Sequence, residues 1–271
     1  MSNQTIDVQR DAGIVTCTLS NPPKHTLTAA GVFKLHQLLD ELATDPSVRV
    51  LVLTGAAPGV FVAHYEVGEL ADTAERAQGK TERETAQEGP QLHAMHELCL
   101  RLEALPAITI AALNGNAAGG GLELALACDF RLLADGPYRL GLPETSVGII
   151  PGAGGTQRLT QLLGRARALD LILHARLVDP AQALSLGLVH RLFGEASFGE
   201  DVAAFAKDLA QRAPVALASA KEAIYRGGQA DSMANALLVE QACFDRAMRS
   251  EDAAGAMRAW LTGQTWQWKG R

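Results

Sequence analysis

The chain has 271 residues, 48% hydrophobic and 20% charged, enough to bury a core as one large domain or a domain with an appendage, and unlike a disordered or fibrous protein. A formal net charge of −6 offers no general attraction to nucleic acid or to an anionic membrane, so an anionic ligand has to be held by local groups. Cys17, Cys99, Cys128 and Cys243 form no CxxC pair, the start MSNQTIDVQRDAG is polar and no stretch approaches the ~20 apolar residues of a membrane span, so the expected setting is the cytoplasm, without disulfides or thiolate zinc.

In chain order, residues 14–19, 48–54, 107–113 and 130–133 are predicted strands, β-rich runs stopped by Gly, Asn, Asp or Pro. Residues 29–43, with Val32, Leu35, Leu38, Leu39 and Leu42 at helical spacing, and 91–102, with Leu92, Met95, Leu98 and Leu102, are predicted helices. The alternation is an α/β pattern. Residues 71–89 are charged, punctuated by Gly and poor in large apolar groups, which predicts a mobile surface loop, either plain or serving as a lid. From about Phe198 the strand signals stop, and 202–212, 215–226, 232–249 and 253–261 show helical period. The expected organisation is an α/β core over 1–197 and a helical region over 198–271, where Met233, Leu237, Phe244 and Met248 form a stripe suited to a core or to a subunit interface.

The chemistry concentrates in residues 107–158. A buried-type strand at 108–113 runs into Asn114-Gly115 and then Gly119-Gly120-Gly121, after which 122–127 holds strong helix formers. Such glycines permit close backbone approach, and free N–H groups at a helix start attract negative charge, although a tight turn uses the same residues. Glu123 falls in the first helical turn, where dipole complementation alone also places a carboxylate. Glu144 follows Pro143 after the runs 130–133 and 138–142, joined by Asp135-Gly136-Pro137; a hairpin of those runs returns Glu144 toward Glu123. Two facing carboxylates suit proton chemistry at an activated carbon, because burial and repulsion raise one pKa and leave the other acid ionised.

Other patterns carry less. Gly79-Lys80-Thr81 ends like a phosphate-binding loop, but Ala74 stands where the first Gly belongs. Gly152-Ala153-Gly154 is half of a dinucleotide fingerprint with no strand leading into it. His93 and His96, followed by Glu97, lack the further ligands of a metal site and are expected at the surface. No G-x-S-x-G elbow is present.

AALNGNAAGGGLELALACD followed by LPETSVGIIPGAGGTQRL resembles the signature of the enoyl-CoA hydratase/isomerase (crotonase) family. NPPKHTLT, LVLTGAAPGVFVA, KEAI at 221–224 and SEDAAGAMRAWLTGQ extend the resemblance over nearly the whole chain, in the family's order. It implies a spiral of repeated ββα units, then a helical region that packs subunits into a homotrimer or a dimer of trimers. It also implies an acyl-CoA substrate, with no separate cofactor because coenzyme A is part of that substrate, and no metal, nucleic acid or membrane partner.

Residue by residue, the resemblance implies an oxyanion hole made by the backbone N–H groups of Tyr65 and Gly120, proton transfer at the α-carbon by Glu144, and activation of water by Glu123. Gly152 matches a backbone donor to that water, and Lys24, Ala63 and Lys269 match contacts to coenzyme A, Lys269 toward a neighbouring subunit. Retention of both glutamates favours hydration of a 2-enoyl-CoA to a 3-hydroxyacyl-CoA. Isomerisation, thioester hydrolysis, a lyase reaction or an idle CoA-binding member are the alternatives on the same scaffold. The departure is FVAHYEVGEL, where His64 replaces a Gly, Tyr65 a small residue and Glu66 an Asp. His64 is strained if its φ must be positive, and Tyr65 narrows or re-aims the acyl pocket.

Overall fold

The computed structural model describes residues 4–79, 89 and 91–271. A hairpin opens the chain: β1 (Thr5–Asp11) pairs antiparallel with β2 (Ile14–Ser20) around a turn in which Ala12 and Gly13 both take positive φ. That backbone matches the twist of the strands it joins. α1 (Ala29–Thr44) begins where the Thr28 hydroxyl accepts the N–H of Gly31, and it buries the stripe its spacing predicts, Val32, Leu35, Leu38, Leu39 and Leu42.

From there as far as residue 141 the strands alternate between two sheets. β3 (Val50–Gly55), β5 (Ile108–Leu113), β7 (Phe130–Asp135) and β10 (Arg191–Gly194) add to the hairpin in the order β1-β2-β3-β5-β7-β10, every pairing after the hairpin being parallel. β4 (Gly59–Val62), β6 (Gly115–Ala118), β8 (Leu140–Gly141) and β9 (Leu177–Val178) form the second sheet in that order. Each early strand of the first sheet is followed by one of the second and then by a helical return, which winds the chain into a spiral of the kind the resemblance implies. The returns are α2 (Val67–Gln78) and α3 (Ala94–Ala104), then α4 (Gly120–Leu126), then a 3₁₀ turn (Glu144–Val147) with α5 (Gly155–Leu163) and α6 (Arg165–Leu173), and α7 (Pro180–Leu186).

The parallel strands are apolar on both sides because both sides are covered. Leu51, Leu53, Ala111 and Leu113 face the main core with α1, α3 and α4, while Val50, Val52, Ile110 and Ala112 face Phe198, Val202 and Ala206 of α8 (Phe198–Ala210). The first helix of the 198–271 region therefore seals a face of the sheet. α9 (Pro214–Gly228), α10 (Met233–Met248) and α11 (Glu251–Leu261) follow.

Two expectations are corrected. Residues 67–78 are the helix α2, capped by Glu66, and not a loop; none of its residues is buried, so no apolar stripe announced it. The rest of that predicted loop, with Lys80 and Thr81, lies outside the described residues apart from Gly79 and Gly89. The runs 130–133 and 138–142 do not pair as a hairpin, because β7 joins β5 and β10 while β8 joins β6 and β9 in the other sheet.

Candidate active site

What returns Glu144 toward Glu123 is the parallel pairing of β6 with β8. Ala117 lies opposite Leu140 and Ala118 opposite Gly141, and the Gly119 N–H continues the ladder by donating to the Gly141 carbonyl at 3.0 Å. Past that register both chains turn. Gly119 takes φ +49 and ψ −128, a conformation only glycine holds cheaply, and launches α4 with Glu123 in its first turn. On the other side Pro143 leads into the 3₁₀ turn with Glu144 as its first residue. A methyl group at Gly119 would stand 3.0 Å from Glu144 Oε1, so that carboxyl rests against the turn that starts α4.

Glu123 is 3% exposed, inside a helix whose residues are all buried. Its Oε1 accepts the N–H groups of Ala153 at 2.7 Å and Gly155 at 2.8 Å, in the turn that opens α5. Burial raises its pKa, and the N–H groups of Gly155 and Ala153, with the charges of Arg158 and His93, oppose that rise. Glu144 has no such partners. Its Oε2 is buried with no hydrogen bond among the described residues, and burial pushes its carboxyl up to about 7, aided by the nearby Glu123 charge and opposed by its own backbone N–H. One carboxyl thus has two amide donors on one oxygen and the other an oxygen enclosed without a partner among the described residues, the kind of inequality that suits acid/base work at one carbon.

The backbone donors sit beside this pair. In the isolated parallel bridge between Leu27 and Tyr65, Leu27 makes both hydrogen bonds, to the His64 carbonyl and from the Glu66 N–H, so the Tyr65 N–H points away from it. A methyl at Gly120 would come 2.9 Å from Tyr65 Cβ and 3.4 Å from Tyr65 N, which places those two backbones side by side. Gly120 is the first residue of α4, so its N–H has no intrahelical acceptor. The arrangement offers two adjacent main-chain donors next to Gly119 and Glu144.

Of the remaining sequence candidates, Lys24 is exposed and paired with Glu66 at 2.8 Å, and Thr26 donates to the other oxygen of the same carboxylate. Ala63 gives its N–H to the His25 carbonyl, and its own carbonyl takes the Ala118 N–H; the backbone groups expected to meet adenine are engaged within the protein, the N–H fully. Lys269 pairs with Glu251 and lies 5.1 Å over the Trp266 ring at the far end of the chain. Gly152 is exposed, and its N–H meets no acceptor among the described residues. His64 is not among the residues of positive φ, so the strain expected there does not arise; its Nδ1 is 2.7 Å from the Tyr65 carbonyl.

Sequence reasoning missed the holders of Glu123. Ala153 and Gly155 act through backbone N–H groups, which any residue but proline carries, so their identity gave no signal. His93 was expected at the surface and is exposed, yet its Nε2 lies 2.7 Å from the Gly152 carbonyl. Arg158 bonds the Ala153 carbonyl at 2.9 Å and Glu103 at 2.5 Å, bracing the same turn. Two surface cavities, of about 390 and 570 Å³, lie where the C-terminal helices meet the segment around Pro106 and include neither glutamate. Among the described residues no cluster of His, Cys, Asp and Glu suits a metal ion, and no helix is long and apolar enough to cross a membrane.

Comparison with known proteins places the chain among relatives of one family and fold. The sequence pattern described as Enoyl-CoA hydratase/isomerase matches residues 9–271. The chain is 35% identical to a probable enoyl-CoA hydratase of Bacillus subtilis, covering 98% of both chains, and 34% identical to the mitochondrial methylglutaconyl-CoA hydratase of Rattus norvegicus, covering 97% of this chain and 81% of that one. Its fold matches the crystal structure of an enoyl-CoA hydratase from Bacillus anthracis with a TM-score of 0.86 at 32% identity, over 99% of this chain and 100% of the other. With its spiral, its paired glutamates and a match that spans almost its full length, the chain belongs to the enoyl-CoA hydratase/isomerase family.

Proposed function

We propose that the chain adds water across the double bond of a 2-enoyl-CoA thioester to give a 3-hydroxyacyl-CoA. The observation that carries the reading is the unequal pair: Glu123 fixed by two amide donors, and Glu144 half-buried, its Oε2 enclosed with no partner among the described residues and its carboxyl shifted to about 7. In this reading the Tyr65 and Gly120 N–H groups receive the thioester oxygen and stabilise the enolate that forms, a contribution of ~3–4 kcal/mol per donor. Glu123 takes a proton from water as its oxygen bonds to the β-carbon, and Glu144 delivers a proton to the α-carbon as the enolate collapses. The Gly152 N–H, without an acceptor among the described residues and on the turn that holds Glu123, is suited to orient the water. Lys24, Ala63 and Lys269 are the proposed contacts of coenzyme A.

Turnover of crotonyl-CoA by the purified protein, followed as loss of ultraviolet absorption of the conjugated thioester, is the direct test. Binding of coenzyme A without consumption of any enoyl-CoA would make the chain an idle binder, and migration of the double bond without water uptake would make it an isomerase.

A homotrimer or dimer of trimers is the proposed assembly. Met233, Leu237, Leu238, Phe244, Trp260 and Leu261 are exposed on α10 and α11, more apolar surface than a lone chain normally leaves to water. A monomer in sedimentation equilibrium at micromolar concentration would refute it. The proposed compartment is the cytoplasm.

A further inference from the structure

The two N–H groups that hold Glu123 belong to different peptide units, and each unit is gripped at its other end. Gly155 N–H shares a peptide plane with the Gly154 carbonyl, which accepts the Arg158 N–H at 2.9 Å as the first bond of α5. Ala153 N–H shares its plane with the Gly152 carbonyl, and what holds that carbonyl is His93 Nε2, at 2.7 Å. In a trans peptide the C=O and N–H point in opposite directions, so a bond on one side fixes the aim of the other. A carbonyl only accepts, so Nε2 carries the proton, and donation into the C=O polarises the unit and strengthens its N–H as a donor.

His93 is well placed for this. It is the N-cap of α3, in a capping box with His96, and its ring packs against that of His96 with centroids 3.9 Å apart. Its own N–H donates to His96 Nδ1 at 3.4 Å, which orients the pair. The charged and titratable groups around it are His96 on the same helix, Glu123 from α4, and Arg158 from α5 with its partner Glu103. Arg158 bonds the Ala153 carbonyl, a different peptide, so it does not replace His93 at Gly152.

We propose that His93 is a positioning residue for Glu123, acting through the Gly152–Ala153 peptide to aim and strengthen one of the two amide donors that hold that carboxyl. The role deepens the hydratase reading and rests on it for its catalytic meaning, whereas the linkage itself is a property of the protein alone. His93→Ala removes the donor, and His93→Gln restores an N–H at a comparable reach.

The experiment titrates the Glu123 carboxyl by carbon NMR in protein labelled at glutamate carboxyls, assigned with Glu123→Gln, and in parallel measures kcat and KM for crotonyl-CoA. In His93→Ala the Glu123 titration is expected to move upward by about one pH unit, the scale of one modest hydrogen bond, with kcat down about fivefold to tenfold and KM within about twofold. His93→Gln is expected to return both toward wild type. A Glu123 titration unmoved in His93→Ala, or a Gln variant no better than Ala, overturns the proposal. If the wild type hydrates nothing while the titration moves as stated, the hydratase reading falls and the linkage stands.

Discussion

At the scale of the residue, Glu123 and Glu144 carry the same carboxyl group in different surroundings. Two amide donors satisfy an oxygen of Glu123, while Glu144 Oε2 is enclosed without a partner among the described residues and its carboxyl sits at about 7 instead of the ~4.3 of an exposed glutamate. Hydration needs Glu144 protonated in the free enzyme. Its protonated fraction falls as pH rises through about 7, and dehydration runs from the same one-proton state of the pair with the proton on Glu123, so kcat/KM is expected to fall above about pH 7 in both directions, their ratio staying at the pH-independent equilibrium constant. Glu144→Gln cannot exchange the proton; kcat should drop by ~10²–10⁴-fold with coenzyme A affinity nearly unchanged. Steady-state rates across pH in both directions, with calorimetric binding of coenzyme A, check both statements, and a variant turning over near the wild-type rate would remove Glu144 from the mechanism.

At the scale of the element, the site is a product of register. β6 and β8 run parallel, and one residue beyond their last pair the chain turns on one side into α4 and on the other toward Glu144. A third turn, from Pro151 to Gly155, opens α5 and presents its N–H groups to Glu123. Space there is fully used. A methyl at Gly155 would meet Glu123 Oε1 at 2.8 Å, Glu123 Cγ at 2.9 Å and Leu142 Cδ1 at 2.9 Å. Gly155→Ala should therefore displace the carboxylate and lower kcat by ~10²-fold, with the protein still folded by circular dichroism. Full activity in that variant would mean that the turn yields and that Glu123 needs no fixed partner.

At the scale of the whole molecule, the C-terminal helices are tied to the spiral by a buried cation. Lys221 of α9 is 6% exposed, pairs with Asp129 at 2.8 Å, and donates to the carbonyls of Ala107 at 3.0 Å and Leu102 at 3.2 Å, beside the strand that leads to the active site. Removing one member of a buried pair strands the other. Lys221→Met should cost about 3–5 kcal/mol of stability, read as a lower denaturation midpoint in urea, whereas an unchanged midpoint would show that Asp129 finds another partner or a proton.

The sequence by itself determined the class and the family, and it pointed to the two acids. The apolar period of α1 and α3, the buried strand β5 and the glycine triplet before Glu123 are local signals, and local signals survive in one dimension. Tertiary structure decided how those acids meet. The meeting depends on a pairing between sheets, and the hairpin expected from Asp135-Gly136-Pro137 was wrong because β7 and β8 each found a better partner in a different sheet. It also decided how the two carboxyls differ, since the donors to Glu123 are backbone N–H groups that leave no mark on residue identity, and the burial that raises Glu144 exists only once the chain is folded.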